Sequence, residues 1–304
     1  MSEHEALLHK AAAEHDSTVL VTGANGHLGH VVVDELASHG VRVIAVDRTP
    51  SPTFSAAAHF HQLDGHDLPG LIDAMQDCSG LVHLAAIPYP IDGQEQVVFG
   101  NNTGATFAAL QAAATVGIKR AVIASSVSAY GTAWSPQPST FDYVPVDEDH
   151  PMRNFDPYGL SKEVDERTAA MFARRSGMSV AALRFHWVAT PEQQQEGIRA
   201  AGPVNVAEVL RGLWGYVDVR DAARACRLAL LASARSPYGF QPMNIVAADA
   251  LSTIPLRELL AEHAPAIAVR GELDDTAGGF SIDRARELID WVPQYSWRQH
   301  PLRH

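Results

Sequence analysis

The chain has 304 residues, of which 46% are hydrophobic, a proportion that supports a substantial buried core. Its formal net charge of −12 argues against nucleic acid or an anionic membrane as a partner, because both attract basic surfaces. The two cysteines, Cys78 and Cys226, stand far apart without metal-ligand spacing, so neither a disulfide framework nor a zinc site is indicated. The acidic N-terminal stretch and the lack of long apolar runs predict no secretory signal and no membrane span, and hence a cytoplasmic protein.

Short β-branched segments alternate with alanine-rich helical patterns from residue 18 onward. The strand-like segments are TVLVT, VRVIAV, HFHQL, GLVHLAA, RAVIAS and, later, MSVAALRF. Strands that are apolar on both faces, each followed by a helix, indicate a parallel sheet covered on both sides. The sequence therefore predicts an α/β protein with a doubly wound parallel sheet of the Rossmann type and a small C-terminal substrate lobe.

Domain boundaries follow from where this alternation stops and resumes. Prolines interrupt it over residues 131–157, which predicts a long loop. We expect a dinucleotide-binding unit over 1–186, to which 216–247 return. Residues 187–215 and 248–304 are expected to form the substrate lobe.

A glycine-rich turn follows the first predicted strand. Gly23, Gly26 and Gly29 form a T-G-x-x-G-x-x-G pattern, which lets the backbone approach a pyrophosphate at a helix N-terminus. The next strand ends at Asp47, about 20 residues on, where a carboxylate can accept the ribose hydroxyls. The pattern predicts a dinucleotide site, with a simple strand-to-helix turn as the alternative. Asp47 favours NAD over NADP, although the adjacent Arg48 could accommodate a 2′-phosphate.

A tyrosine and a lysine stand four positions apart in PYGLSK, as Tyr158 and Lys162. The chain has three lysines and seven tyrosines, so chance placement would give roughly 0.07 such pairs. Positions i and i+4 share a helix face, and an ammonium group stabilises the phenolate form that accepts a proton. The pair predicts proton transfer. The alternative is an ordinary helix start at Pro157 with an exposed tyrosine and a solvated lysine.

Six motifs occur in an order that resembles the extended short-chain dehydrogenases/reductases, the NAD-dependent epimerase/dehydratase group. They are TGANGHLG, HLAA at 83–86, NNTGAT at 101–106, SSVSAYG at 125–131, YGLSK at 158–162 and YVDVRDAARA at 216–225. The resemblance covers about residues 17–250, and the ending SIDRARELIDWVP is similar to that family's C-terminal helix.

The resemblance implies roles for individual residues. Tyr158 would be the general acid/base, Lys162 would bind the nicotinamide ribose, and Ser126 would hydrogen-bond to the reacting substrate oxygen. Asp64 is expected near the adenine, and Asn101 is expected to support the active-site helix and the cofactor. The full set of cofactor-binding candidates is Gly23, Asn25, Gly26, His27, Leu28, Gly29, Asp47, Arg48, Asp64, Leu84, Ala85, Ala86, Asn101, Tyr158, Lys162 and Phe185.

Two positions depart from the family members that process nucleotide-diphosphate sugars. Trp187 stands where those members usually have an asparagine, and Trp214 where they often have an arginine that holds the diphosphate. The segment between them is short for enclosing a nucleotide, although Arg199 or Arg211 could substitute. These departures favour a smaller sugar, polyol, sugar acid or other hydroxy compound. The substrate-binding candidates are Ser128, His186, Trp187 and Trp214. Both tryptophans could equally be core or interface residues, and His186 could simply pack.

The leading hypothesis is an NAD-dependent oxidoreductase that acts on a hydroxyl or carbonyl carbon of a small sugar-like or polyol substrate. The alternative is a nucleotide-sugar epimerase or dehydratase with tightly held NAD. A non-catalytic cofactor sensor is disfavoured, because it would not need Ser126, Tyr158 and Lys162 together. No metal is expected, although His59 and His61 share a strand face near Asp64.

A homodimer is expected by resemblance, through the helices at 102–116 and 157–176. Their small residues would permit close packing between subunits, but they could equally face the sheet of their own chain. These residues are Ala108, Ala112, Ala169 and Ala173.

Overall fold

The structure, a computed structural model, describes residues 17–50, 56–57, 59–136, 141–200 and 210–299. The strands in these ranges are β1 (Thr18–Thr22), β2 (Arg42–Asp47), β3 (His59–Gln62), β4 (Gly80–His83), β5 (Arg120–Ser126), β6 (Tyr143–Val144), β7 (Ser179–Phe185), β8 (Val188–Ala189), β9 (Val217–Asp218), β10 (Phe240–Ile245) and β11 (Ala268–Val269). The helices are α1 (His27–Ser38), α2 (Leu68–Ala74), α3 (Glu95–Val116), α4 (Pro157–Ser176), α5 (Pro191–Ala200), α6 (Val219–Arg235), α7 (Leu256–His263) and α8 (Asp283–Ile289).

Seven strands form one parallel sheet in the order β3-β2-β1-β4-β5-β7-β10. The order reverses between β1 and β4, where the connections leave on opposite sides and open a crevice at the carboxyl ends of the strands. The register pairs Thr22 with both Val46 and His83, and Ser126 with Phe185, so these strand ends lie at one edge. The predicted doubly wound parallel sheet is confirmed.

Two apolar layers cover the sheet. Side chains of α1, α6 and α8 pack in the cluster on one face, and those of α2, α3 and α4 pack in the cluster on the other. The sequences of the strands between these layers are continuous apolar runs, because both faces of the sheet are buried. The alanines of α3 and α4 that could have formed a dimer contact are buried in this second layer, so they face their own chain.

A smaller core lies beyond the carboxyl edge of the sheet. It joins side chains from the proline-rich segment, from residues 210–214 and from residues 246–280, including Phe141, Val144, Trp214 and Phe280. β6 pairs with β11, and β8 pairs with β9, so the segment predicted as a loop contributes a short strand to this lobe.

The helix α8 and its flanking residues return to the large core. Ile282, Ala285, Ile289 and Trp291 pack in the same cluster as α1 and α6, although the sequence had assigned them to the substrate lobe. The division of the chain at 186, 216 and 247 stays a prediction. No helix within the described ranges is long and apolar enough to cross a membrane.

Candidate functional site

The glycine-rich turn after β1 is built so tightly that side chains would not fit. Gly23 has a φ of +68°, and a Cβ placed there would lie 2.7 Å from the backbone nitrogen of Ala85. A Cβ at Gly29 would lie 2.1 Å from the carbonyl oxygen of Gly23. Both positions therefore require glycine, and they leave the first turn of α1 open to a ligand that approaches the backbone.

A first cavity of about 270 Å³ opens beside this turn, at the carboxyl ends of β1, β2 and β4. The predicted cofactor residues that line it are Gly23, Asn25, Gly26, Asp47, Arg48, Asp64, Leu84, Ala85, Ala86 and Asn101. The structure thus places these predicted residues, which come from five separate segments of the chain, around one cavity. The shape and the acidic group at the end of β2 fit the adenosine part of a dinucleotide.

Asp47 is fixed by hydrogen bonds within the chain. Its Oδ2 accepts a hydrogen bond from the backbone of Asn25 at 3.0 Å, and its Oδ1 accepts from the backbone and the hydroxyl of Thr49 at 3.0 and 2.9 Å. The carboxylate is held at the mouth of the cavity, and its remaining lone pairs can accept further hydrogen bonds.

Asp64 lies at the other wall of the first cavity. One carboxylate oxygen accepts hydrogen bonds from the backbone nitrogen of His66 at 2.9 Å and from its Nδ1 at 2.8 Å. These two bonds lower the pKa of Asp64. Asp64 is therefore ionised at neutral pH, and it pairs with His66 within its own loop. In the described part of the chain, no group of three or more potential ligands could hold a metal ion.

A second cavity of about 600 Å³ lies on the other side of the turn, between the sheet edge and the small lobe. It shares Gly23, Gly26, Leu84 and Ala86 with the first cavity, so one elongated ligand could occupy both. Its wall includes the remaining predicted cofactor residues, His27, Leu28, Gly29, Tyr158, Lys162 and Phe185, together with Ser126 and Ser128.

The tyrosine and lysine lie at the start of α4. Pro157 occupies the first helical position, and Asp156 caps the helix, because its Oδ1 accepts a hydrogen bond from Gly159 at 2.7 Å. Tyr158 and Lys162 are 7% and 3% exposed, which excludes the alternative of an exposed tyrosine and a solvated lysine. The Lys162 ammonium lies 5.8 Å from the centre of the Tyr158 ring.

Lys162 is held by two acceptors. Its Nζ donates to the carbonyl oxygen of Ala124 at 2.9 Å and to Oδ2 of Asp165 at 3.3 Å. Asp165 is almost fully buried, and this burial raises the pKa of its carboxyl to about 6, although Lys162 acts in the opposite direction. The sequence analysis missed Asp165, although its position three residues after Lys162 on the same helix could have signalled the contact.

Ser126 ends β5 and faces the second cavity. Its Oγ accepts a hydrogen bond from the backbone nitrogen of Ser128 at 3.0 Å, which fixes the side chain and leaves its hydroxyl proton to donate to a ligand. Ser126 and Tyr158 therefore line the same cavity from different elements.

A buried polar network supports these two elements from behind. The Arg184 guanidinium binds Glu166 of α4 through two bonds of 2.8 Å, and Ser125 donates to Glu166 at 2.6 Å. Arg184 also donates to the hydroxyl of Tyr130 at 3.0 Å, which donates to Asn244 at 2.8 Å. The network ties β5, β7, α4 and β10 together. Sequence reasoning missed it, because its members are far apart in the chain.

Support for α4 comes from Asn102 and not from its neighbour Asn101. The Asn102 amide exchanges hydrogen bonds of 2.8 and 3.0 Å with the backbone of Ile87 and donates to the Ser161 hydroxyl of α4 at 3.0 Å. Asn101 lines the first cavity and donates to Asn102 at 3.1 Å. The support of α4 that was expected from Asn101 therefore comes from Asn102, whereas Asn101 faces the cavity. The two side chains point in different directions because one step along a helix turns a side chain by about 100°.

His83 is buried at the end of β4, directly before the first cavity. Its Nδ1 lies 2.8 Å from the hydroxyl of Thr22, and burial together with the nearby Lys162 lowers the pKa of His83 to about 3. The imidazole is therefore neutral, and it packs as part of the sheet edge.

The structure places three of the four substrate-binding candidates on the wall of the second cavity and the fourth elsewhere. Ser128 and Trp187 line the second cavity. His186 also lines it, but its Nδ1 accepts from the backbone of Trp187 at 2.6 Å and its Nε2 donates to Gly212 at 2.9 Å. Burial lowers the pKa of His186 to about 4, so the ring is neutral and its nitrogens are engaged. Trp214 is not on the cavity wall. It is 7% exposed in the core of the small lobe, which corrects that prediction.

The reversed strand order, the glycine turn and the two joined cavities define an enzyme-like dinucleotide-binding fold. Residues 19–245 match the model of the NAD dependent epimerase/dehydratase family. The chain is 31% identical to L-arabinose 1-dehydrogenase (NAD(P)(+)) of Haloferax volcanii over 237 residues, which cover 76% of this chain and 88% of that protein. It is 26% identical to UDP-glucose 4-epimerase of Lacticaseibacillus casei over 316 residues, 91% of this chain and 92% of that protein.

A solved structure with bound NAD has a similar fold. MoeE5 in complex with UDP-glucuronic acid and NAD is 29% identical and superposes with a TM-score of 0.69, over 93% of this chain and 95% of that chain. The chain belongs to the NAD-dependent epimerase/dehydratase family. The prediction of an NAD(P)-dependent short-chain dehydrogenase/reductase of the extended type is confirmed.

Proposed function

We propose that the protein is an NAD-dependent oxidoreductase that acts on a hydroxyl or carbonyl carbon of a small sugar-like or polyol substrate. The observation that carries the proposal is the position of Ser126 and Tyr158 on one cavity wall, with the buried Lys162 beside the tyrosine. The relative from Haloferax volcanii, which is named a dehydrogenase of a free sugar, supports the same class of reaction.

The roles of the three residues follow from their surroundings. Tyr158 takes the proton of the substrate hydroxyl during oxidation and returns it during reduction. Lys162, fixed by Ala124 and Asp165, presents its positive charge to the phenolate form of the tyrosine. Ser126 donates a hydrogen bond from its hydroxyl group to the substrate oxygen and so orients the carbon that is oxidised. NAD, when bound, supplies the hydride acceptor.

The glycine turn and the first cavity would hold the cofactor. The required glycines at 23 and 29 admit a pyrophosphate to the start of α1, and Asp47 would accept hydrogen bonds from the ribose. The 2′-phosphate of NADP would be repelled by the Asp47 carboxylate, because both groups are negatively charged. The proposal therefore includes a preference for NAD over NADP. Arg48 lines the same cavity and limits that preference.

A nucleotide-sugar epimerase is the second candidate function. The UDP-glucose 4-epimerase of Lacticaseibacillus casei matches over 91% of this chain. In this candidate function, Ser126, Tyr158 and Lys162 would act in the same way while the cofactor stays bound. The two candidates differ in whether reduced cofactor leaves the enzyme.

A substrate panel tests the proposal. The purified protein is incubated with NAD and with free sugars, polyols, sugar acids and nucleotide sugars, and both the absorbance of reduced nicotinamide and the products are measured. Net formation of reduced cofactor supports a dehydrogenase. A product isomer without net reduction supports the epimerase, and the absence of both with every compound contradicts the proposed chemistry.

The proposal includes a cytoplasmic homodimer. The two cysteines are unpaired, as expected in a reducing compartment. Exposed apolar side chains lie along α3 and α4, where Val97, Phe107 and Leu160 are 54%, 46% and 43% exposed. Light scattering tests the dimer, since one chain has a mass of 32.8 kDa. Replacing Phe107 and Leu160 with serine should give that monomer mass, whereas an unchanged dimer mass would place the interface elsewhere.

A further inference from the structure

The second cavity carries an unusual charge balance for this protein. The chain as a whole has a formal charge of −12, yet the lining residues in its described part include Lys162 and Arg211 and no carboxylate. A cavity with cations and without acids attracts anions, because the low-dielectric walls concentrate the field. A neutral ligand could accept hydrogen bonds from these groups but would gain no attraction between opposite charges.

The two cations are not equally available to a substrate. Lys162 already donates to Ala124 and Asp165 and lies against the Tyr158 ring. The Arg211 guanidinium forms no hydrogen bond or ion pair with any residue that the structure describes. The contrast with other arginines is clear, since the guanidinium groups of Arg184 and Arg227 are paired with carboxylates. Within the described ranges, Arg211 is the free cation of this cavity.

The backbone that carries Arg211 is fixed from two sides. The hydroxyl of Thr132 donates to the carbonyl oxygen of Arg211 at 2.7 Å. The next carbonyl, of Gly212, accepts the hydrogen bond from His186 at 2.9 Å. Thr132 follows the segment that begins with Ser126, and His186 follows β7. The segment that follows Ser126 and the residue that follows β7 therefore both hold the backbone of Arg211, which fixes its position on the wall of the cavity that Ser126 also lines.

The remaining walls limit what the anion can belong to. Outside the cofactor-lining part, they carry the aromatic side chains of Tyr89, Trp134, Phe141, Trp187 and Phe280, together with small and hydroxyl side chains such as those of Ser126, Ser128 and Thr132. Such rings stack on the apolar faces of a sugar ring and offer few hydrogen bonds. A diphosphate would bring two charges to a cavity with one free cation. One planar carboxylate matches one guanidinium, because the two groups can form parallel hydrogen bonds.

We propose that Arg211 binds a carboxylate of the substrate, so that the enzyme oxidises a sugar acid of monosaccharide size in preference to neutral or nucleotide sugars. The inference rests on the proposed function, and it names the substrate class for that site.

The test compares matched substrates on matched variants. Glucose and galactose are paired with glucuronate and galacturonate, and glucose 6-phosphate and UDP-glucose represent other anions. Wild type, Arg211→Gln, Arg211→Lys and Arg199→Gln are assayed for kcat/KM with NAD. Arg199 is the control, because it is an exposed arginine of the same lobe that does not line the cavity.

We expect wild type and Arg199→Gln to prefer the acids over their neutral partners at least tenfold in kcat/KM. The acid-to-neutral ratio should collapse towards one in Arg211→Gln and recover in part in Arg211→Lys, which keeps the charge but not the planar fork. A preference for the phosphate, the nucleotide sugar or the neutral sugars would overturn the proposal. An unchanged ratio in Arg211→Gln would do the same.

A binding measurement separates this inference from the proposed reaction. Calorimetry of galacturonate and glucuronate with the NAD-loaded protein requires no turnover. Binding to wild type that Arg211→Gln weakens at least tenfold supports the carboxylate site even when no compound reduces NAD. Equal binding to both proteins, or no binding to wild type, overturns it even when another compound reduces NAD.

Discussion

The ammonium group of Lys162 lies 3.3 Å from the buried carboxylate of Asp165, one helical turn further along α4. The carboxylate supplies a counter-charge to the ammonium that lies beside Tyr158. It therefore weakens the effect of Lys162 on the phenolate form of the tyrosine. Asp165 is thus a positioning residue that we expect to influence the pH dependence of the reaction.

Asp165→Asn should move the acid limb of the oxidation pH profile to lower pH by about one unit, because Lys162 loses its counter-charge. The measurement is kcat/KM against pH for the oxidised substrate. Glu163→Gln is the matched control, since this carboxylate of α4 contacts Asn154 and Arg167 instead. An acid limb that stays in place in Asp165→Asn would contradict the proposed role.

The same variant has a stability consequence whose sign follows from the raised pKa. Because the folded protein raises the pKa of Asp165 from 3.8 to about 6, folding favours its protonated form. This contribution to stability is fully present below pH about 4 and is lost as the pH rises through about 6. The free energy of unfolding of wild type relative to Asp165→Asn should therefore fall over that range, as urea titrations at several pH values can show.

Tyr158→Phe should lower kcat about 10²–10⁴-fold, because it removes the proton-transferring hydroxyl and keeps the ring. The dissociation constant for NAD should change little. Tyr238→Phe is the control, since its hydroxyl donates to Ala229 and Tyr238 does not line either cavity. Retention of most activity by Tyr158→Phe would remove the tyrosine from the mechanism.

Asp47→Ser should raise the ratio of kcat/KM for NADP over NAD by at least about tenfold, because it removes the charge that opposes a 2′-phosphate. Adding Arg48→Ala should reverse part of that gain. Asp73→Ser, at an exposed position of α2, serves as the control. A wild-type preference for NADP would contradict the role given to Asp47.

The neighbouring asparagines of α3 allow a paired comparison. Asn102→Ala should reduce the free energy of unfolding by about 2–3 kcal/mol, because it leaves the Ile87 backbone and the Ser161 hydroxyl without their partner. Asn101→Ala should cost less than about 1 kcal/mol and should mainly weaken NAD binding, because Asn101 lines the cavity. Urea unfolding and cofactor titration measure both effects, and the reverse ranking would refute this assignment.

Breaking the buried ion pair should be costly. Arg184→Met leaves Glu166 buried without its cation and should reduce the free energy of unfolding by about 3–5 kcal/mol. The exposed Arg153–Asp142 pair is the comparison, and Arg153→Met should cost far less, because solvent screens an exposed ion pair. Equal costs for the two variants would show that the network behind Ser126 has no special contribution to stability.

Local patterns predicted much of the fold and of the site. The alternation of apolar runs and helical segments indicated the parallel sheet, because strands buried on both faces show no polar alternation. The glycine turn and the Tyr158–Lys162 pair could be found because their spacing is set by one turn or one helix. Each of these features depends on residues that are close in the chain.

Other features depended on contacts that no local pattern encodes. Trp214 and Trp187 looked alike in the sequence, yet one is buried in the lobe core and the other lines the cavity. Asn102 and Asn101 differ only by their direction on the helix. The network from Ser125 to Asn244 joins residues that are more than a hundred positions apart.

The sequence by itself determined the sheet, the cofactor turn and the spacing of Tyr158 and Lys162, because these follow from local backbone geometry and burial. Only the tertiary structure decided which charges meet and which stay free. It brought Asp165 to Lys162 and buried Trp214, and it left Arg211 on the cavity wall without a partner among the described residues. The physical reason is that pairing, burial and orientation depend on the packing of elements distant in the chain.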